Sequence, residues 1–266
     1  MNKQMSLAEL IAEIRPGSSL AMGGGGVQRK PMAFARALGA SNVDDLDMIS
    51  FLGGPETDLL LGLGRVRRLS FAFVGFDAYG LAPNFRQVRE AGTIEAVEYS
   101  EAITLTAFEA AAKRLPFLPT RFGLGTDILN TPTCPFKTFL CPISGETLLA
   151  VPALAPDVAV IHVNEADRAG NAIIHGDAYA DTLLARAAKR TFLTAERIVD
   201  QLPADQTRRS TFLSRMWIAG VVEAPKGAGF TGQYPEYPLD LPAMLTYQAR
   251  ATDPAWLADY AAGRVS

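Results

Sequence analysis

Leu20-Ala21-Met22-Gly23-Gly24-Gly25-Gly26-Val27-Gln28-Arg29-Lys30-Pro31 joins a short apolar run to four consecutive glycines, two cations and a proline that opens a helical pattern. A β-type run that stops at glycines and resumes as a helix is the strand–turn–helix unit of an α/β protein. Backbone without side chains lets a ligand come close to main-chain N–H groups, and a helix N-terminus favours anions. The stretch therefore predicts an anionic small-molecule site, with Gly23, Gly24, Gly25 and Gly26 as its backbone and Arg29 and Lys30 as its cations. A tight turn needs only one or two positive-φ positions, so a purely structural turn leaves part of the run unexplained. Dinucleotide and P-loop spacings are not met. Gly26 follows Gly23 at the right interval, but no acidic residue ends a second strand about 20 residues on, and Gly-Lys-Ser/Thr is missing.

On either side of this stretch, short β-type runs alternate with helical ones. Strands are expected at Ser19–Met22, Leu46–Phe51, Val66–Val74, Ile94–Tyr99, Leu148–Val151, Val158–Val163, Thr191–Leu193 and Val221–Glu223. Helices are expected at Ser6–Ile14 (with Ser6 and Glu9 as a capping box), Pro31–Leu38, Thr57–Leu63, Pro83–Ala91, Ser100–Arg114, Thr182–Ala188 and Ala195–Ile198. Thr120–Ser144 reads as an irregular, functional loop, and the chain after Pro225 as irregular until a short helix beyond Pro254. The predicted class is α/β, a mostly parallel open sheet flanked by helices. Residues 1–224 form one domain and 225–266 an irregular C-terminal arm packed on it.

Composition narrows the partners. The chain has 266 residues, 48% hydrophobic and 20% charged, with a formal net charge of −3, so neither nucleic acid nor an anionic membrane is indicated. No apolar run reaches transmembrane length, and the first residues lack a signal-peptide core, which points to the cytoplasm. Cys134 and Cys141 form neither a disulfide framework nor a metal motif. His162 and His175 read as hydrogen-bonded structural residues; a metal would need Asp177 and Asp181 as added ligands, and no metal is expected. No Gly-x-Ser-x-Gly elbow is present. Glu98 and Glu101 flank Tyr99-Ser100 at a strand-to-helix junction, which makes Glu101 either a solvated capping carboxylate or a site residue.

The segment Gly17–Pro31 resembles the N-terminal signature of family I coenzyme A transferases: a glycine, two spacers, three apolar residues, a Gly-Gly pair and a later proline. Pro16, Gly25 and Arg29 depart from it, where the signature has Asp/Asn, Phe and Gly. The Arg-Lys-Pro ending is similar to the glutaconate CoA-transferase branch, as is Gly62-Leu63-Gly64-Arg65-Val66-Arg67-Arg68. Glu98-Tyr99-Ser100 with Ala110–Pro119, Val151-Pro152 with Asp157–His162 and Gly170-Asn171, Ala187–Arg190, and Val221–Ala228 continue the likeness in order.

The resemblance implies a CoA-transferase-type fold and the role of an α (A) subunit. Its partner would be a homologous β subunit in an αβ or α2β2 complex. CoA thioesters would be substrates, a carboxylate the acceptor, and no further cofactor would be needed. In such transferases a glutamate attacks the thioester to give an acyl-glutamyl anhydride and CoA thiolate, then a glutamyl-CoA thioester. That glutamate usually sits on the β subunit, leaving this chain to supply Gly23–Gly26, Arg29, Lys30 and the specificity loops. A sibling group, the ring-opening CoA-thioester hydrolases of steroid degradation, carries its working glutamate on the α subunit, where this chain has Glu101. The strings Thr93–Ala96, Lys30–Phe34 and Ala110–Pro119 are similar to that group. Three readings therefore stand: CoA transfer first, hydrolytic ring opening with Glu101 as base second, and a non-catalytic binding subunit third.

Overall fold

A computed structural model of the chain describes residues 2–265; Met1 and Ser266, the outer limits of the expected domains, lie outside the described residues. The chain runs through α1 (Leu7–Ala12), β1 (Ser19–Met22), α2 (Met32–Gly39), β2 (Leu46–Gly53), α3 (Pro55–Gly62), β3 (Val66–Val74), α4 (Pro83–Ala91), β4 (Glu95–Glu98) and α5 (Glu101–Ala112). It continues through β5 (Phe117–Thr120), β6 (Lys137–Leu140), β7 (Thr147–Pro152), β8 (Val158–Asp167), β9 (Ala172–Ile174), α6 (Asp181–Ala187) and β10 (Arg190–Val199). Then follow α7 (Ala204–Arg209), β11 (Thr211–Leu213), β12 (Ile218–Glu223), α8 (Leu241–Arg250) and α9 (Pro254–Ala261).

The parallel core has the order β4–β3–β2–β1–β8–β10–β12. β9 and β11 add antiparallel at the far end of β8, beyond the tip of β1. From β1 the chain steps outward to β4, then returns to the other side of β1 and steps outward again through β8, β10 and β12. The strand order thus reverses between β1 and β8. In open α/β sheets that switch point, at the carboxyl ends of the strands, is where ligands bind. The glycine run begins there.

Side chains alternate across the sheet with period two. Leu20, Met22, Val158 and Val160 enter one apolar core with α2, α3, α8 and α9, while Ala21, Ala159 and Ile161 enter a second with Phe108 of α5 and Leu184 of α6. The parallel, helix-flanked sheet is the expected class.

Four local expectations are corrected. Ala195–Ile198 is strand, not helix: β10 pairs with β8 from Arg190 to Val199, and that ladder overrides the helix propensity of Ala, Glu and Arg. Thr120–Ser144 is not wholly irregular, because Lys137–Leu140 forms β6. β5, β7 and β6 make a separate antiparallel sheet over Val97, Ile103, Phe136 and Leu149. The segment after Pro225 is more ordered than expected: α8 forms where irregular chain is expected, α9 is the helix expected beyond Pro254, and together they place Met244, Tyr247, Trp256, Leu257 and Tyr260 in the first core. Pro31 is the cap of α2 rather than its first residue.

Candidate functional site

The glycine turn follows β1 at the switch point, and its backbone donors are engaged within the chain. Gly23 N donates to Val160 O (2.9 Å), Gly25 N to Gln28 O (3.1 Å) and Gly26 N to Leu52 O (3.0 Å). Gly24 N donates to Asp181 Oδ1 (3.1 Å) and Val27 N to Asp77 Oδ2 (3.1 Å). The expectation of an open cradle of N–H groups for an outside anion is therefore corrected. Except for Gln28, the acceptors come from positions remote in sequence, which a local reading does not see. Glycine is nevertheless required. Gly24 has φ +76, and a methyl group there would lie 2.6 Å from Gln28 O; one at Gly25 would lie 2.6 Å from Tyr179 Cε1.

Arg29 and Lys30, expected as the cations of the anion site, are both buried. Arg29 is 3% exposed and Lys30 1%. Arg29 pairs with Asp181 and donates to His162 O (2.9 Å). Lys30 Nζ lies 3.1 Å from Glu56 Oε1 and also donates to Leu52 O and the carbonyls of Gly23 and Gly24. Two buried ion pairs thus brace the turn from below. Removing one member of such a pair leaves an uncompensated charge, at a cost of about 3–5 kcal/mol.

A second brace comes from the segment after β12. Arg29 N donates to Gly232 O (2.7 Å), Gly232 N to Val27 O (3.1 Å), and Lys30 N to Thr231 Oγ1 (3.2 Å). This strap is fastened by Glu196. Thr194 and Glu196, two apart on β10, face the same way and hold the two ring nitrogens of His162, each at 2.9 Å. Tyr237 also donates to Glu196 Oε1, and Lys226 N donates to Oε2. Burial holds the His162 ring below its ordinary value, in the neutral form. Burial pushes the Glu196 carboxyl up, but hydrogen bonds from His162, Tyr237 and Lys226 N outweigh it and hold it low. His162 is thus a satisfied interior histidine, as its sequence suggested.

Glu101 sits on the same edge of the sheet. Strand register puts Glu98 level with Phe71, Phe71 with Ser50, and Ile49 with Ala21, so β4 ends level with β1. Three strand spacings separate them, about 14 Å. Ser100 caps α5 by accepting from Ile103 N, which makes Glu101 its first residue. The side chain is exposed, with no hydrogen bond or ion pair among the described residues. Neighbouring Tyr99 is buried against Phe136, and burial pushes its hydroxyl up to about 12. Among the described residues no group of three or more His, Cys, Asp or Glu could hold a metal ion, and no helix is long and apolar enough to cross a membrane.

Asp77, Tyr179, Asp181, Glu56 and Glu196 escape a reading of the sequence as parts of the turn. Two of them carry a signal that could have found them. Asp77 follows the tip of a parallel strand, and Asp181 opens a helix at the same edge.

Comparison with known proteins agrees with this architecture. The Coenzyme A transferase family matches residues 4–215. The chain is 39% identical to the cholesterol ring-cleaving hydrolase IpdA subunit of Mycobacterium tuberculosis, over 96% of this chain and 90% of that one. It is 30% identical to the glutaconate CoA-transferase A subunit of Acidaminococcus fermentans, over 93% of this chain and 82% of that one. Among solved structures, the decarboxylase AibA/AibB superposes with TM-score 0.89 at 31% identity, covering 98% of each chain. Glutaconate CoA-transferase from Acidaminococcus fermentans superposes with TM-score 0.87 at 29% identity, covering 95% of this chain and 85% of that one. With its reversed parallel sheet, glycine turn and α-type likeness, the chain belongs to the coenzyme A transferase family.

Proposed function

We propose that this chain is the α-type subunit of a two-subunit enzyme that opens a carbon ring on a CoA thioester by hydrolysis, with Glu101 as general base. One observation carries the reading: Glu101 is an exposed, unpartnered carboxylate in the first turn of α5, on the ligand-binding edge of the sheet. The 39% identity to a ring-cleaving hydrolase subunit supports it. In that chemistry Glu101 takes a proton from water as the water oxygen adds to a ring carbonyl. The adjacent carbon–carbon bond breaks, its electron pair passing to a neighbouring carbonyl, and the protonated Glu101 returns the proton to the released carbon. The CoA thioester is substrate, no further cofactor takes part, and a homologous β subunit closes the site in an αβ or α2β2 complex.

CoA transfer is the second reading, supported by the likeness to glutaconate CoA-transferase. There the covalent glutamate belongs to the β subunit, while Glu101 is a bystander. The test follows free thiol and new acyl-CoA together in the co-expressed complex, over a panel of acyl-CoAs with and without carboxylate acceptors. A product formed without acceptor or free thiol, and lost by about 10²–10⁴-fold in Glu101→Gln at unchanged thermal stability, is the expected outcome. New acyl-CoA that requires an acceptor, with Glu101→Gln fully active, would replace it with the transferase.

A further inference from the structure

The glycine turn, cationic by its sequence, is negative in the folded chain. Arg29 is matched by Asp181 and Lys30 by Glu56, so both cations are neutralised. Asp77 remains. Its carboxylate accepts from Val27 N (3.1 Å) and packs against Gly26 so closely that a methyl group there has no room. It has no cationic partner among the described residues, and it is exposed at the rim. Asp77 and Tyr179 are both non-glycine residues with positive φ, +51 and +47, on separate loops that converge on Gly25 and Gly26. Two loops of different origin thus fix the wall of the turn.

We propose that Asp77 is a specificity-determining residue, setting the charge of the group that docks at the glycine turn. It selects acyl-CoA chains whose far end is neutral over those that end in a carboxylate. The inference rests on the CoA-thioester reading and names the substrate class within it. A reacting carbon at Glu101 and an acyl chain lying across the strand ends would bring the chain's far end to Gly26, which bonds to Leu52 at the end of β2, two strand spacings or about 10 Å from β4. There an anion would meet the Asp77 carboxylate and, among the described residues, no free cation, while a ketone or hydroxyl would meet none of that repulsion.

The test uses the co-expressed complex and a series of ω-carboxyacyl-CoA thioesters of increasing length. Each is paired with the isosteric chain ending in a methyl ketone, and dissociation constants are measured by calorimetry. Discrimination against the carboxylate is expected to emerge at the length that reaches the turn, about tenfold, and to shrink with added salt. Asp77→Asn should abolish it, as read from the ratio of affinities within each pair, which cancels any effect common to both series. Asparagine keeps an acceptor for Val27 N and tolerates positive φ, so the turn survives the exchange. Equal affinities within every pair, or discrimination that persists in Asp77→Asn, would overturn the proposal. Failure of both series to bind at all would overturn the CoA-thioester reading itself, and the proposal with it.

Discussion

Asp181 holds Gly24 N and the Arg29 guanidinium at once, from a side chain that is almost fully buried. Asp181→Ala should therefore cost more than a surface acid, about 3–5 kcal/mol in chemical denaturation, because it strands a buried arginine. The adjacent glycines are separable. At Gly24 an added methyl meets backbone carbonyls on a positive-φ residue, whereas at Gly25 its nearest contacts are atoms of the Tyr179 ring. Gly24→Ala should thus lower the melting temperature more than Gly25→Ala. Adding Tyr179→Ala should rescue the second variant and not the first, as measured by scanning calorimetry. The sequence marks these glycines as special because four in a row exceed what a turn needs. It does not reveal what accepts from the N–H groups of Gly23, Gly24, Gly26 and Val27, since Val160, Asp181, Leu52 and Asp77 are supplied by other strands and loops. Glu101 is legible as a helix-opening carboxylate, and its freedom from partners is visible only in the fold.

Elements show why local pattern suffices in some places and fails in others. β1, β2, β3 and β8 are apolar, β-branched or aromatic runs that end at turn residues, and their sequences announce them. Thr194-Ala195-Glu196-Arg197 has helix-forming chemistry, yet its conformation is fixed by the β8 ladder, a pairing no local window contains. A similar long-range device starts α4. Ala82 offers no side-chain cap, and Asp58 of α3 accepts instead from Asn84 N (2.8 Å), Phe85 N (2.9 Å) and Tyr247 of α8 (3.0 Å). Burial pushes the Asp58 carboxyl up to about 6, despite those donors, from an unfolded value near 3.8. Between those values the folded chain keeps a proton that the unfolded chain releases. Stability from this group is thus present in full below about pH 4, falls as pH rises to about 6, and is level above that. The slope should reach at most about 1.4 kcal/mol per pH unit, and Asp58→Asn should flatten it in urea melts run across that window.

At the scale of the whole molecule, the end of the chain is structural. Met244, Tyr247, Trp256, Leu257 and Tyr260 lie in the same core as Leu20, Leu38 and Leu59, and Trp256 stacks on Tyr260 at 5.3 Å. Loss of each such aromatic costs about 3–5 kcal/mol, and a domain's whole stability is about 5–15 kcal/mol. A chain truncated after Asp240 is therefore expected to lose cooperative unfolding, as read by near-ultraviolet circular dichroism. The parallel order of the sheet has a different consequence, for the chain as it is made. β1 gains β2 on one side soon after it emerges, but its other neighbour is β8, about 140 residues later. At ribosomal speeds of about 5–20 residues per second, that edge stays open for roughly seven to thirty seconds. Only four residues of β1 are at risk, short enough to offer a stray strand little purchase. The shortness of the strand that carries the glycine turn thus protects the nascent chain from aggregation before it serves any ligand.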